Sequence, residues 1–160
     1  MRRLRAVAAY DGTEFCGFQR QPGARTVQGV LETALSRLCG HPVAVTGAGR
    51  TDAGVHAVGQ VVHWETSSRI PAERIGPAVN TLVGPELLVR AVEDVSPDFH
   101  ARFDAVRRSY RYYVTTLWPT PFRARYVLHE PSLRPEARER MQEALLPLVG
   151  EHDFAGFCRE

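Results

Sequence analysis

Arg50-Thr51-Asp52-Ala53-Gly54-Val55-His56-Ala57 is the stretch on which the fold turns. It lies between two runs rich in apolar, β-branched residues, Val43 to Thr46 and Val58 to Trp64. Asp and Gly supply turn geometry at little steric cost, so the stretch reads as a direct strand-to-strand connection. Asp52 then has two readings. It is a turn former, or it is a carboxylate set aside for chemistry, with a cation before it in Arg50 and an imidazole after it in His56.

Upstream, Leu4 to Tyr10 reads as a strand with Leu4, Ala6, Ala8 and Tyr10 on one face. Asp11-Gly12 stops it, Asp11 being a turn residue. A loop runs to Arg25, and Thr26 is a good N-cap. Val27, Val30, Leu31, Ala34, Leu35 and Leu38 form a helical stripe that Gly40 ends. Beyond the loop, Val58, Gln60, Val62 and Trp64 face one way along a strand, and Val61 and His63 the other. Pro71 opens a second helix carrying Ile75, Ala78, Val79 and Leu82, which Pro77 is expected to break or delay. Leu87 to Val95 is a fourth strand. The order strand, helix, strand, strand, helix, strand is that of an α+β, ferredoxin-like split βαβ fold, an antiparallel sheet with helices on one face.

Residues 1–104 are read as this N-terminal lobe, carrying the Asp52 loop, and 105–160 as the start of a second, similar unit. There Val106 to Thr116 reads as a long strand, with Val127 to His129 as its partner. Pro135 starts a helix with Met141, Ala144, Leu145 and Leu148. Phe154 and Phe157 have little left to pack on, and the second unit is expected to be truncated.

The chain has 160 residues, 44% hydrophobic and 24% charged, which suits one soluble globular protein with a real core. No apolar run approaches the ~18 residues a membrane helix needs. The basic start, Met1 to Arg5, is not followed by a signal-peptide pattern, so a cytoplasmic protein is expected. Cys16, Cys39 and Cys158 have no C-x-x-C spacing and read as reduced, partly buried thiols. The histidines show no H-x-x-x-H or H-E-x-x-H, so no metal site is expected. All 20 basic residues are arginine, which excludes Schiff-base chemistry and a P-loop lysine. Arginine suits phosphate recognition by bidentate forks, although a GC-rich genome accounts for the missing lysine as well. With a net charge of only +2, nucleic-acid binding would need local clustering.

Several short motifs stand in a telling order. Tyr10-Asp11-Gly12-Thr13 is followed by Gly17-Phe18-Gln19 and Thr26-Val27-Gln28-Gly29. Then come the Asp52 loop, Phe99-His100-Ala101-Arg102-Phe103, Arg108-Ser109-Tyr110-Arg111-Tyr112, and Glu151-His152-Asp153-Phe154. Together they resemble the tRNA pseudouridine synthase A family over essentially the whole chain. The one departure is Arg108, where the family usually has lysine in K-x-Y-x-Y.

The resemblance implies isomerisation of uridine to pseudouridine in tRNA, on the 3′ side of the anticodon stem-loop, with no cofactor and by a homodimer. It implies that Asp52 is the catalytic nucleophile. The chemistry needs an ionised carboxylate, which a neighbouring guanidinium favours; in the family that cation comes from a C-terminal half. By resemblance Tyr110 stacks on the target uracil; from spacing alone Tyr110, Tyr112 and Val114 are the core face of a strand. Arg50 either orders the loop or fills the space of a flipped nucleotide, and the resemblance points to the second. His56 is read as holding the loop. Arg20, Arg25, Arg102, Arg107, Arg108 and Arg111 are candidate RNA-binding residues, each also readable as a solvated surface residue. The mixed charges from Arg134 to Glu143 read as a solvated helix face. The rival from another class is a non-catalytic RNA-binding module, since split βαβ sheets commonly present bases to aromatic rings. A small hydrolase acting on a phosphorylated metabolite fits less, because it leaves Tyr110 and the arginines unexplained.

Overall fold

A computed structural model describes residues 1–157. They fall into two units, Met1–Arg108 and a second that begins at Ser109. In the first unit the elements are β1 (Arg2–Tyr10), α1 (Val27–Cys39), β2 (Val45–Gly47), β3 (Ala57–Thr66), α2 (Ala72–Asn80) and β4 (Leu87–Val95). They form a four-stranded sheet in the order β2-β3-β1-β4, with every neighbouring pair antiparallel. This is the expected α+β split βαβ arrangement. Each helix joins two strands that are not neighbours, and the gap between them is filled by a strand from the other half.

The alternation along β1 decides which face is buried. Leu4, Ala6, Ala8 and Tyr10 are all at most 4% exposed, and they meet Leu31 and Leu35 of α1 and Ile75 and Val79 of α2 in one core. Fully burying a leucine, isoleucine or valine here is worth ~1.5–3 kcal/mol, so seating the two helices on this sheet face is strongly stabilising. Thr26 caps α1 by accepting from the Gly29 N–H at 3.3 Å, and Gly40 closes it in the left-handed region at φ 74°.

Three details differ from the periodicity. Val58 is 83% exposed rather than on the core face. Between the pairs Ala8↔Gln60 and Tyr10↔Ala57 the strand β3 carries one residue more than β1, and this bulge turns Val58 away. A second bulge in β4 sets Ala91 and Val92 against one residue of β1. It holds Ala91 at φ 50° and turns Val92 onto the helix side, near Gly76. Pro77 does not break α2. It lies on the exposed side, where solvent can take the Glu73 carbonyl that loses its donor.

The second unit is sparser. In place of a long strand over 106–116 there is only β5 (Val114–Thr115), paired in parallel with β6 (Leu128–His129). A strand persists only where a neighbour takes its backbone hydrogen bonds, and here two residues find one. Then α3 (Ala137–Leu145) runs into a single 3-10 turn at Leu146–Leu148, which contains Pro147. No residue of α3 is buried; Met141 and Leu145 are exposed, as are Phe154 and Phe157. No helix among the described residues is long and apolar enough to cross a membrane.

Candidate active site

The Asp52 loop leaves the end of β2 and returns into β3. It lies against the loop that follows β1, residues 11–18, backbone upon backbone. The Phe18 N–H donates to the Thr51 carbonyl at 2.9 Å, and the Gly54 N–H donates to the Phe15 carbonyl at 3.2 Å. The Val55 N–H closes the turn on the Asp52 carbonyl at 3.1 Å. So close an approach needs glycine twice. A Cβ on Gly12 would lie 2.1 Å from the Val55 oxygen. One on Gly17, itself at φ 88°, would lie 2.8 Å from the Thr51 oxygen.

Side chains pin the same loop from below and from its rim. The Tyr10 hydroxyl and Thr51 Oγ1 are hydrogen-bonded at 2.9 Å. Gln60 Nε2 donates to the Gly49 carbonyl at 2.7 Å, and the Arg108 guanidinium donates to the Ala48 carbonyl at 2.8 Å. His56 Nδ1 accepts from the Gly12 N–H at 3.0 Å and lies 3.0 Å from Asp11 Oδ1. His56 therefore holds the loop, as its position suggested. Burial pushes the Tyr10 phenol above its ordinary pKa, against opposing hydrogen bonds from the Thr51 and Gln60 side chains, so the hydroxyl keeps its proton.

Within this frame the Asp52 and Arg50 side chains are exposed. Neither makes a hydrogen bond or ion pair with any described residue. Asp11, the other aspartate of the site, is used differently. Its Oδ1 accepts from the Thr13 N–H at 3.0 Å and from the Thr13 hydroxyl at 2.6 Å, the behaviour of a turn residue.

Four of the candidate RNA-binding arginines fall into two groups. Arg20 and Arg25 line a groove of about 740 Å3 along α1, to which Asp52 does not contribute. Arg20 is paired with the buried Glu32 at 3.0 Å; Arg25 is paired with Glu86 and lies over the Phe15 ring. Arg102 and Arg108 lie close to the Asp52 loop, through the Arg108 bond to Ala48 and a 3.5 Å approach of Arg108 to the Arg102 carbonyl. Arg107 is exposed. Tyr110 and Arg111 belong to the second unit, where both are exposed and outside any strand. Cys16 is exposed rather than partly buried, Cys39 is half-buried, and Cys158 lies outside the described residues.

The residues that composition and periodicity did not single out are those beneath the loop. Tyr10 looked like a core position, and Gln60 like a face residue of β3. The one available signal was the pair of glycines at 12 and 17, inside the motifs Tyr10–Thr13 and Gly17–Gln19, and it does not say which backbone comes close.

A family model described as tRNA pseudouridine synthase matches residues 6–104, a span that contains the Asp52 loop, the loop at residues 11–18 packed against it, Tyr10 and Gln60, and the turn at residues 99–103, but not Arg108. Curated relatives match along nearly the full chain. The tRNA pseudouridine synthase A of Brevibacillus brevis is 48% identical over 99% of this chain and 64% of its own length. That of Synechococcus is 47% identical over 99% of this chain and 54% of its own. That of Exiguobacterium is 42% identical over 98% and 63%. The chain thus spans less than two thirds of these relatives.

Proposed function

The chain belongs to the tRNA pseudouridine synthase family, and on that premise we propose that it isomerises uridine to pseudouridine in tRNA, with Asp52 as the catalytic nucleophile. The observation that carries this is the side chain of Asp52 itself: a carboxylate on a loop tied down on both flanks, exposed, and with no bond to any described residue. A carboxylate kept for turn geometry would be bonded as Asp11 is. In the reaction the bond from N1 of uracil to C1′ of the ribose breaks and one from C5 to C1′ forms. The C5 proton is lost and N1 ends protonated. Asp52 supplies the anionic oxygen at the sugar–base linkage.

The substrate uridine is on the 3′ side of the anticodon stem-loop. Arg50, exposed beside Asp52, fills the space the extruded base leaves, and Tyr110 stacks on the uracil. Arg20, Arg25, Arg102, Arg107, Arg108 and Arg111 hold phosphates; Arg108 does so with the donors that its bond to Ala48 leaves over. Residues 1–104 are the catalytic lobe and 105–160 begin the second. The enzyme acts as a cytoplasmic homodimer and needs no cofactor.

The test is Asp52→Ala in the complete gene product, with tRNA carrying tritium at uracil C5. No tritium is released by the variant, while its affinity for tRNA stays within about twofold, because phosphate contacts dominate affinity. Continued release would remove Asp52 from the chemistry. Wild-type protein that binds tRNA without releasing tritium would favour a non-catalytic RNA-binding module.

A further inference from the structure

We propose that the buried Tyr10 hydroxyl, with Gln60 and Thr51, positions the Arg50–Asp52 segment for catalysis by anchoring the residues on both sides of Arg50, Thr51 through its side chain and Gly49 through its carbonyl. The proposal rests on Asp52 being the catalytic group.

Tyr10 is only 4% exposed, and its ring is fixed in the core against Phe15 and Phe18, at 6.4 and 6.5 Å between ring centres. The ring therefore cannot follow the loop; the loop must come to the hydroxyl. On one side of Arg50 the hydroxyl bonds Thr51 Oγ1 at 2.9 Å. On the other, Gln60 Nε2 donates to the Gly49 carbonyl at 2.7 Å. Arg50 is thus the one residue between two anchored neighbours, and Asp52 follows directly. Gly49 and Thr51 have no regular secondary structure to hold them. Side-chain bonds to a rigid core take the place of a strand ladder, and they fix where the two exposed side chains begin.

Such a role differs from a contribution to the fold. The Tyr10 ring carries the packing and its oxygen carries the positioning, so Tyr10→Phe separates the two. In the complete gene product, Tyr10→Phe and Thr51→Val each lower kcat for tRNA isomerisation about tenfold or more, since a misplacement near 1 Å can cost two orders of magnitude. The affinity for tRNA stays within about twofold, and the thermal midpoint falls by only a few degrees. Gln60→Met, of similar volume but without the donor, gives the same split. The double variant Tyr10→Phe/Thr51→Val is no slower than either single variant, because both remove one bond. Amides of Gly54 and Val55 exchange faster, while those of α1 do not.

A kcat for Tyr10→Phe within twofold of wild type overturns the proposal. So does a loss that tracks the unfolded fraction, or a loss of tRNA affinity equal to the loss in turnover. Failure of the underlying reading looks different: Asp52→Ala then retains turnover, whatever Tyr10→Phe does.

Discussion

Asp11 and Asp52 are the same residue type in neighbouring loops, and their use is opposite. Asp11 spends an oxygen on the amide and the hydroxyl of Thr13, whereas Asp52 spends neither of its own on any described residue. The difference arises because the Asp52 loop takes its bonds through backbone and through other side chains. Glycine is what makes that possible. A methyl group on Gly12 would sit 2.1 Å from the Val55 oxygen, so the two loops would have to part. Gly12→Ala therefore destabilises the protein by ~1–3 kcal/mol, as overpacking does, and lowers turnover beyond the loss of folded protein. Denaturant midpoints and initial rates, measured side by side, check this; a variant with normal turnover would mean that the loop moves freely without harm. The motif around residues 10–13 was legible as a string. Why it has glycine there was not, because the partner oxygen is 43 residues further along the chain.

Among the elements, β2 depends most on a neighbour. It has three residues, pairs only with β3, and is tied to α1 by two side chains one turn apart. Gln28 Nε2 donates to the Val45 carbonyl at 2.9 Å, and the buried Glu32 accepts from the Val45 N–H at 3.0 Å. Together they act as a substitute strand along the sheet edge, just before the chain enters the Asp52 loop. Glu32→Ala leaves the Val45 N–H without a partner and costs ~2–3 kcal/mol in unfolding free energy. A urea titration that shows less than half of this would refute the tie. Helical periodicity found α1 but placed Glu32 on no face of note, since a buried carboxylate is invisible until its donor is known. Likewise, period-two reading set Val58 inward, and a single extra residue in β3 reversed it.

At the scale of the first unit, the turn at residues 99–103 is clasped onto the open face of the sheet. His63 Nδ1 accepts from the Ala101 N–H at 3.2 Å, and Arg3 donates to the Phe99 carbonyl at 2.8 Å. Arg5 lies over the Phe99 ring. Burial, then the nearby His100 and Arg3, hold the His63 imidazole below its ordinary pKa of 6.5, despite Glu65 and Asp104. Below about pH 6.5 the unfolded chain takes up this proton while the folded one resists it, so stability rises with pH through that window. It is fully present above the unfolded pKa and is lost as pH falls towards the folded one. Lowering the pH from about 7 to about 5 thus destabilises the protein, and by less in His63→Gln, whose amide oxygen can still accept from Ala101. Equal slopes in the two proteins would show that His63 carries no part of the pH dependence.

What the sequence determined by itself is local and periodic. The alternation from Leu4 to Tyr10, the stripe of α1 with its Thr26 and Gly40 caps, and the two consecutive strands around Asp52 specify the split βαβ order, because each is written within a few neighbouring residues. The motif string also pointed to the family before any geometry. Tertiary structure alone decided the rest. It decided that Tyr10 reaches up to Thr51, that Arg108 bonds the Ala48 carbonyl, that bulges turn Val58 out and Val92 in, and that residues 106–113 form no strand. Each of these depends on a hydrogen-bond partner or a neighbouring backbone distant in the chain, and no pattern of near neighbours encodes the position of a distant one.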